Sequence, residues 1–197
     1  MNITDQEGTK EMRKIVFNET EIQGACERIA NELTKELAND EKIPLFLGVM
    51  KGALNFFMDL TKRFEMPIYL DYIQVSSYEG TKSTGNVKLL HDLRFDCEGR
   101  SVIIVEDIVD TGTSMNYLVK YIEEKYHPKR IFVVALFDKI NARTVPVKID
   151  YSGKVLAQND FLIGYGLDYK ELHRNIPYVY IPDEDEYNEL TELANNN

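Results

Sequence analysis

Three carboxylates and a turn of small, mostly hydroxyl-bearing residues lie in one short stretch, 106–114. Glu106 and Asp107 are adjacent, Asp110 follows, and the turn Thr-Gly-Thr-Ser comes directly after it. The backbone N–H groups and hydroxyls of such a turn can bind a phosphate, particularly where a helix begins. Carboxylates suit sugar hydroxyls, or a cation that accompanies phosphate. Together they favour a phosphorylated sugar as ligand, although a strand–helix unit with a polar exposed turn fits the same residues.

A buried strand and a helix must position this stretch. The run Val102–Val105 is apolar and rich in β-branched residues, which is typical of a strand buried on both faces of a parallel sheet. After the turn, apolar residues recur at helical spacing, at Met115, Leu118, Val119 and Ile122. Because ligands of open α/β sheets bind at the carboxyl ends of the strands, the turn should lie at the ligand-binding edge.

Lysines follow two further strand candidates. The apolar run 44–50 leads into Lys51 and Gly52 and then a helical pattern up to Phe64, and the run 130–138 leads into Lys139. A lysine with free backbone N–H groups could bind a second phosphate at the first turn, and Lys139 would face the same crevice. On the residues alone, an ordinary solvated lysine is the simpler interpretation of either one.

The remaining pattern alternates strands and helices, which predicts one α/β domain over 1–197. Two strands joined by a long run of small and polar residues predict an antiparallel arm, whose tip could be a lid or an unstructured hairpin end. The other expectations concern single segments: a loose polar lead-in at 1–12, a helix from 21 to 37, arm strands at 68–77 and 87–93, turn-like residues at 144–160, short strands at 161–169 and 177–182, and an acidic tail that frays at 195–197.

Charge and cysteine content exclude several classes of protein. The formal net charge is −10, which argues against binding to nucleic acid or to anionic membranes. The two cysteines, Cys26 and Cys97, show no metal-binding spacing, so we expect reduced thiols in a cytoplasmic protein, with Cys26 buried on a helix face. The polar amino terminus predicts no signal peptide, and no run approaches the length of a membrane span. The single histidines at 91, 127 and 173 suggest no catalytic pair.

The stretch Ser101–Met115 resembles the phosphoribosyl-diphosphate motif of the type I phosphoribosyltransferases, in which two acids and two apolar residues precede Asp-Thr-Gly-x-Ser/Thr. Further stretches across about residues 40 to 182 resemble, in order, the hypoxanthine-guanine phosphoribosyltransferases: LGVMKGALNFF, SSYEGTKSTGNVK, LFDK and FLIGYGLDYKELHR, followed by NIPYV. Their joint occurrence favours functional roles for both lysines and for the arm. The resemblance implies an α/β fold with a mostly parallel central sheet flanked by helices, a small hood that includes 150–182, and a flexible antiparallel arm at 72–93.

The resemblance also implies a reaction of purine salvage. The 5-phosphoribosyl group would pass from 5-phosphoribosyl 1-diphosphate to N9 of hypoxanthine or guanine, giving IMP or GMP and diphosphate, with Mg²⁺ as cofactor. It implies small-molecule substrates and a homo-oligomer, either a dimer or a tetramer. A xanthine-preferring enzyme and a non-catalytic regulator that senses phosphoribosyl diphosphate are the alternatives. The acidic charge and the presence of Asp110, Lys139 and Asp168 disfavour the regulator, whereas departures at 152–160 and His173 leave the preferred base open.

Roles on the sugar phosphate follow from the same resemblance. Glu106 and Asp107 would hold the ribose hydroxyls, directly or through Mg²⁺. Asp110 would be the general base that takes the N7/N9 proton of the purine. The 5′-phosphate would be bound by the residues of the turn, which are Asp110, Thr111, Gly112, Thr113 and Ser114.

Roles on the purine and the diphosphate are implied likewise. Lys139 would donate to the 6-oxo group and thereby reject adenine. Phe161 would stack on the base, the Leu162 backbone would accept from its edge, and Asp168 would border the purine site and hold a second Mg²⁺. The diphosphate would be bound by Lys51, Gly52 and Arg174, after a Met50–Lys51 peptide bond that can be cis. The lid would be formed by Ser77 and Tyr78.

Overall fold

The structure is a computed structural model that describes residues 13–77 and 87–196. The predicted lead-in at 1–12 and the tip of the predicted arm at 78–86, with Tyr78, lie outside these residues. The elements are, in chain order, β1 (Lys14–Phe17), α1 (Glu19–Leu37), β2 (Leu45–Met50), α2 (Leu54–Thr61), β3 (Tyr69–Ser77), β4 (Val87–His91), β5 (Ser101–Val109), α3 (Thr113–Tyr126), β6 (Arg130–Lys139), a 3₁₀ turn (Ile140–Ala142), β7 (Tyr151–Leu156), β8 (Val179–Ile181) and α4 (Glu184–Asn195).

The central sheet has the strand order β4-β3-β2-β5-β6-β7, and only β4 runs antiparallel to its neighbour. This confirms the predicted mostly parallel α/β sheet. From β2 the chain moves outward to β3, and from β5 it moves outward to β6 on the other side. The direction of winding therefore changes between β2 and β5, which is where open α/β sheets bind their ligands.

Helices cover both faces of the sheet. Successive residues of β5 point to opposite faces, so Ile103 and Val105 pack with α1 and α2, whereas Val102 and Ile104 pack with α3. All of these side chains are fully buried, as the apolar run predicts. On α1 a capping box formed by Asn18 and Glu21 starts the helix.

The two cysteines are free and buried, in agreement with the prediction for Cys26. Burial raises the pKa of the Cys26 thiol and of the Cys97 thiol to about 11. Both side chains are therefore neutral packing residues at physiological pH.

Two predictions for the second half of the chain were wrong. Residues 144–160 contain a strand, β7, which pairs in parallel with β6 at the sheet edge. Its residues are mostly half-buried, so they show no continuous apolar run. Residues 161–169 make isolated bridges instead of a strand, because Gly164, Tyr165 and Gly166 all have positive φ angles and turn the chain.

The acidic tail forms helix α4, which was not predicted from the sequence. Asp183 caps this helix by accepting a hydrogen bond from the N–H of Glu186, and Leu190 is buried in a third, smaller cluster with Ile163 and Tyr180. Acidic residues in the first turn stabilise the amino terminus of a helix. The apolar pattern of the tail did not indicate this helix.

A second, two-stranded sheet pairs β1 with β8 in antiparallel fashion. The division of the chain into core, hood and arm stays a prediction. Within the described ranges, the helices are all too short or too polar to cross a membrane.

Candidate active site

Two strand ends meet where the winding of the sheet changes. The turn after β2 carries Lys51 and Gly52, and the end of β5 carries Glu106 and Asp107. The Gly52 backbone lies so close to the Asp107 carboxylate that a Cβ atom at position 52 would overlap with it. A larger residue at position 52 would require the Asp107 carboxylate to move. The predicted diphosphate turn and the predicted acidic pair are therefore in direct contact.

The acidic pair is held by its own backbone. The N–H of Asp107 donates to Oε1 of Glu106 at 3.0 Å, and the N–H of Ile108 donates to Oδ1 of Asp107 at 2.7 Å. Burial raises the pKa of Glu106, and the neighbouring Asp107 charge raises it further. Burial also raises the pKa of Asp107, an effect that its hydrogen bonds and the charge of Arg174 partly offset. A half-buried and a buried carboxylate so close together favour binding of a cation.

The hydroxyl-bearing turn begins α3. Gly112 has a φ angle of 85° at the helix start and gives α3 no side-chain cap, although the Thr111 hydroxyl accepts from the N–H of Thr113 at 3.4 Å. The carbonyl of Thr111 accepts from the N–H groups of Thr144 and Val145, both at 3.0 Å, which holds the turn from outside. The Thr111 hydroxyl lies 3.2 Å from that of Thr113. A helix start that begins with glycine and is lined with hydroxyls is suited to bind a phosphate.

Asp110 and Lys139 are neighbours because their strands pair in register. Val109 of β5 lies opposite Asp138 of β6, so the next residue of each strand reaches the same edge. The Nζ of Lys139 lies 3.9 Å from Oδ2 of Asp110. Lys139 is only 7% exposed, whereas Asp110 is open to solvent. A buried cation thus lies beside an accessible carboxylate.

Aromatic residues extend the site beyond Lys139. The Nζ of Lys139 donates to the carbonyl of Asp160 at 3.0 Å, which places Phe161 next in the chain to this contact. The Phe161 ring is 47% exposed and meets the rings of Tyr169 and Tyr187 edge-on, at centroid distances of 5.9 and 6.0 Å. An exposed ring beside a buried lysine can stack on a flat polar ligand.

The other end of the crevice is rich in ion pairs. The Met50–Lys51 peptide bond is cis, in agreement with the resemblance. Arg174 donates to the carbonyl of Gly166 at 2.7 Å and pairs with Oδ1 of Asp168 at 2.7 Å. Lys51 and Arg174 both contact the carboxylate of Glu171. Cations therefore gather from two separate segments.

Most residues predicted for the site lie at this carboxyl edge of the sheet. Ser77 ends β3, the neighbour of β2, and Leu162 is buried in the core. Asp168 pairs with Arg174 and does not join the acidic pair. Within residues 13–77 and 87–196, there is no group of three or more His, Cys, Asp or Glu side chains that could hold a metal ion. Hard carboxylate oxygens nevertheless suit Mg²⁺, which proteins often hold through one or two carboxylates together with substrate phosphates.

Sequence reasoning missed several residues beside the site. Tyr187 contacts Phe161 from α4, a helix that was not predicted. Asn55 donates to the carbonyl of Arg174 at 3.1 Å. Arg143 pairs with Asp138 and packs against Gly112. Their only sequence signal is proximity to a predicted strand end or motif.

Comparisons with known proteins agree with this geometry. The family described as "Phosphoribosyl transferase domain" matches residues 16–170. The mostly parallel sheet with flanking helices is thus the fold of a type I phosphoribosyltransferase. A hypoxanthine phosphoribosyltransferase structure from Staphylococcus aureus superposes with a TM-score of 0.83 at 34% identity, covering 90% of this chain and 95% of that one.

Similarity to curated proteins identifies the family within the type I phosphoribosyltransferases. The hypoxanthine-guanine phosphoribosyltransferase of Lactococcus lactis is 39% identical over 180 residues, which are 91% of this chain and 96% of that protein. The chain belongs to the hypoxanthine-guanine phosphoribosyltransferase family. The bifunctional protein TilS/HprT of Listeria innocua is 41% identical over 180 residues, but the chain spans only 27% of its length. Members of the family use a divalent metal ion and small-molecule substrates.

Proposed function

We propose that this protein transfers the 5-phosphoribosyl group of 5-phosphoribosyl 1-diphosphate to N9 of hypoxanthine or guanine, with release of diphosphate, in purine salvage. The observation that carries the proposal is the pairing of Lys139 with Asp110 at 3.9 Å, next to the hydroxyl-lined start of α3. A regulator that only sensed the sugar phosphate would not need this pair.

The phosphoribosyl half of the substrate is assigned to the end of β5. The N–H groups and hydroxyls of residues 111–114 bind the 5′-phosphate. Glu106 and Asp107 bind the ribose 2′- and 3′-hydroxyls, directly or through the metal ion. Breaking the bond to diphosphate leaves positive charge on the ribose ring, which the nearby carboxylates stabilise.

The purine edge matches the spacing of the two residues at the strand ends. A 6-oxopurine presents O6 and N7 on one edge of the ring. Lys139 donates to O6, and Asp110 takes the N7/N9 proton as the base attacks the ribose, a step that contributes about 10²- to 10⁴-fold to the rate. Adenine carries an amino donor in place of O6, so it would oppose a lysine donor. Phe161 stacks on the base, the Leu162 backbone accepts from its edge, and Asp168 borders the same site.

Mg²⁺ is the proposed metal ion, and when bound it would supply positive charge beside the diphosphate group. Glu106 and Asp107 would hold one ion, and Asp168 would help to hold a second. Lys51, Gly52 and Arg174 bind the diphosphate itself.

Closure and assembly are further parts of the proposal. Ser77 and Tyr78 close over the reacting centre and exclude water. We expect a homo-oligomer, dimer or tetramer, in the cytoplasm, where free thiols such as Cys26 and Cys97 remain reduced.

A product assay tests the proposal. The protein is incubated with phosphoribosyl diphosphate, Mg²⁺ and each of hypoxanthine, guanine, xanthine and adenine, and nucleotide and diphosphate are measured. We expect IMP and GMP to form. Turnover of adenine but not hypoxanthine would overturn the assignment of Lys139, preference for xanthine would favour the xanthine-specific alternative, and no turnover of any base would favour a regulator.

A further inference from the structure

Glu171 lies between the two cations assigned to the diphosphate. Its Oε2 atom is 2.7 Å from the Nζ of Lys51 and 3.4 Å from both Nε and Nη2 of Arg174. Lys51 directly follows β2, whereas Arg174 lies in the segment before β8. The two cations therefore reach this single oxygen from separate parts of the chain. A carboxylate thus occupies a place where two positive side chains converge.

The backbone around Glu171 holds its carboxylate in this position. Glu171 has a φ angle of 72°, and its N–H donates to Oδ2 of Asp168 at 2.7 Å. Tyr169 and Leu172 exchange backbone hydrogen bonds of 3.2 and 2.9 Å around it. The contact to Lys51 and Arg174 is therefore built into a tight turn.

The contact is nevertheless open to solvent and to ligands. The Lys51 and Glu171 side chains are 57% and 61% exposed. Exposed ion pairs of this kind contribute little to folding stability. The hydrogen bond from Lys51 and the charge of Arg174 lower the pKa of Glu171, so it is ionised at neutral pH. A ligand that carries more negative charge could replace it.

We propose that Glu171 is a positioning residue that occupies the diphosphate subsite of the ligand-free protein. It pairs with Lys51 and Arg174, and the diphosphate group of the substrate displaces it from them. When product diphosphate leaves, the carboxylate returns to the same cations and so favours release. This inference rests on the proposed function, because it takes Lys51 and Arg174 as diphosphate ligands.

Calorimetric titration with diphosphate and Mg²⁺ tests the inference on the intact protein. Glu171→Gln keeps the shape of the side chain and removes the competing charge. We expect this variant to bind diphosphate about 1.5- to fivefold more tightly than the unmodified protein, the range of an exposed ion pair. Glu27→Gln, an equal change of charge at an exposed position of α1, should leave the affinity unchanged.

The outcomes separate this inference from the proposed function. If the unmodified protein binds diphosphate and Glu171→Gln binds it equally or less tightly, competition by Glu171 is wrong and the proposed function stands. If the unmodified protein binds no diphosphate, the assignment of Lys51 and Arg174 fails, and the inference fails with it.

Steady-state kinetics provide a second readout. It distinguishes the loss of competition by Glu171 from a simple loosening of the turn around this residue. In Glu171→Gln the KM for phosphoribosyl diphosphate should fall, inhibition by diphosphate should strengthen, and the KM for hypoxanthine should stay the same. In the background of Lys51→Met the gain should shrink, because one of the two competed cations is gone. A rise in both KM values would overturn the inference.

Discussion

The ammonium group of Lys139 lies 3.9 Å from the carboxylate of Asp110, at the ends of two paired parallel strands. A buried lysine donor and an exposed carboxylate acceptor thereby face the crevice side by side. The strand register produces this arrangement, since Val109 and Asp138 are partners in the sheet. The same register that builds the sheet therefore builds the part of the site that would distinguish the base.

Asp110→Asn should lower kcat by about 10²- to 10⁴-fold, because the amide cannot accept the purine proton. Asp110 is solvent-exposed, so the fold should be unaffected and IMP binding should be largely retained. Steady-state assays and fluorescence titration with IMP would measure both quantities. Unchanged turnover would remove Asp110 as the general base.

Lys139→Gln should raise the KM for hypoxanthine by about ten- to a hundredfold, the range for loss of a hydrogen bond from a charged donor. The KM for phosphoribosyl diphosphate should change little, because Lys139 contacts the Asp160 carbonyl on the purine side of the crevice. Lys120→Gln, at an exposed position of α3, serves as the control. Equal KM values for hypoxanthine in all three proteins would contradict the assigned role.

Tyr165→Phe should destabilise the protein by about 1–1.5 kcal/mol, because the buried Tyr165 would lose its hydrogen bond to Asp59, whose carboxylate keeps the one from Gln23. The Tyr165 hydroxyl donates to Oδ2 of Asp59 at 2.6 Å and so ties the 164–166 loop to α2. The same loop packs against the carbonyl of Gly52, so kcat should fall as well.

Urea unfolding and steady-state kinetics would measure these two effects. Tyr72→Phe, at a ring that is 41% exposed, should change stability by no more than about 0.5 kcal/mol. A Tyr165→Phe protein as stable as this control would show that the hydroxyl does not anchor the loop.

Asp92→Asn should destabilise the protein at neutral pH but much less in acid. Burial alone would raise the pKa of Asp92, yet hydrogen bonds from Lys125, Tyr121 and Tyr126 hold it well below its usual value. A carboxyl group whose pKa is lower in the folded than in the unfolded protein stabilises the fold fully at pH values above its unfolded pKa, which is near 4. This stabilisation is lost as the pH falls towards the pKa of the folded protein.

Thermal unfolding at pH 7, 5 and 3 would follow this effect. The difference in melting temperature between the unmodified protein and Asp92→Asn should be constant from pH 7 to 5 and smaller at pH 3. A difference that does not change with pH would mean that the Asp92 charge is not what ties the end of β4 to α3.

Elements with one clear apolar pattern could be predicted from the sequence. The apolar run of β5 and the periodicity of α1 and α3 each satisfy one clear pattern, and the residues of the motif follow β5 directly. By contrast, β7 lies at the sheet edge and buries no residue fully, so its pattern is mixed. Helix α4 buries only Glu186 and Leu190, and its acidic sequence hides the short apolar stripe.

The contacts of the site also divide into those that could be predicted from the sequence and those that could not. Adjacency of Asp110 and Lys139 follows from parallel strands whose carboxyl ends meet, so sequence reasoning could anticipate it. The contact between Gly52 and Asp107 depends on a backbone approach that no pattern of residue types encodes. The position of Glu171 depends likewise on a tight turn with positive φ angles.

A crystal structure of the protein with IMP bound is the most direct test of the central claim, that residues 106–114 and Lys139 form one nucleotide site. The account predicts the 5′-phosphate within hydrogen-bonding distance of the N–H groups and hydroxyls of 111–114, and O6 next to the Nζ of Lys139. A nucleotide bound away from the end of β5, or with its base remote from Lys139, would contradict it.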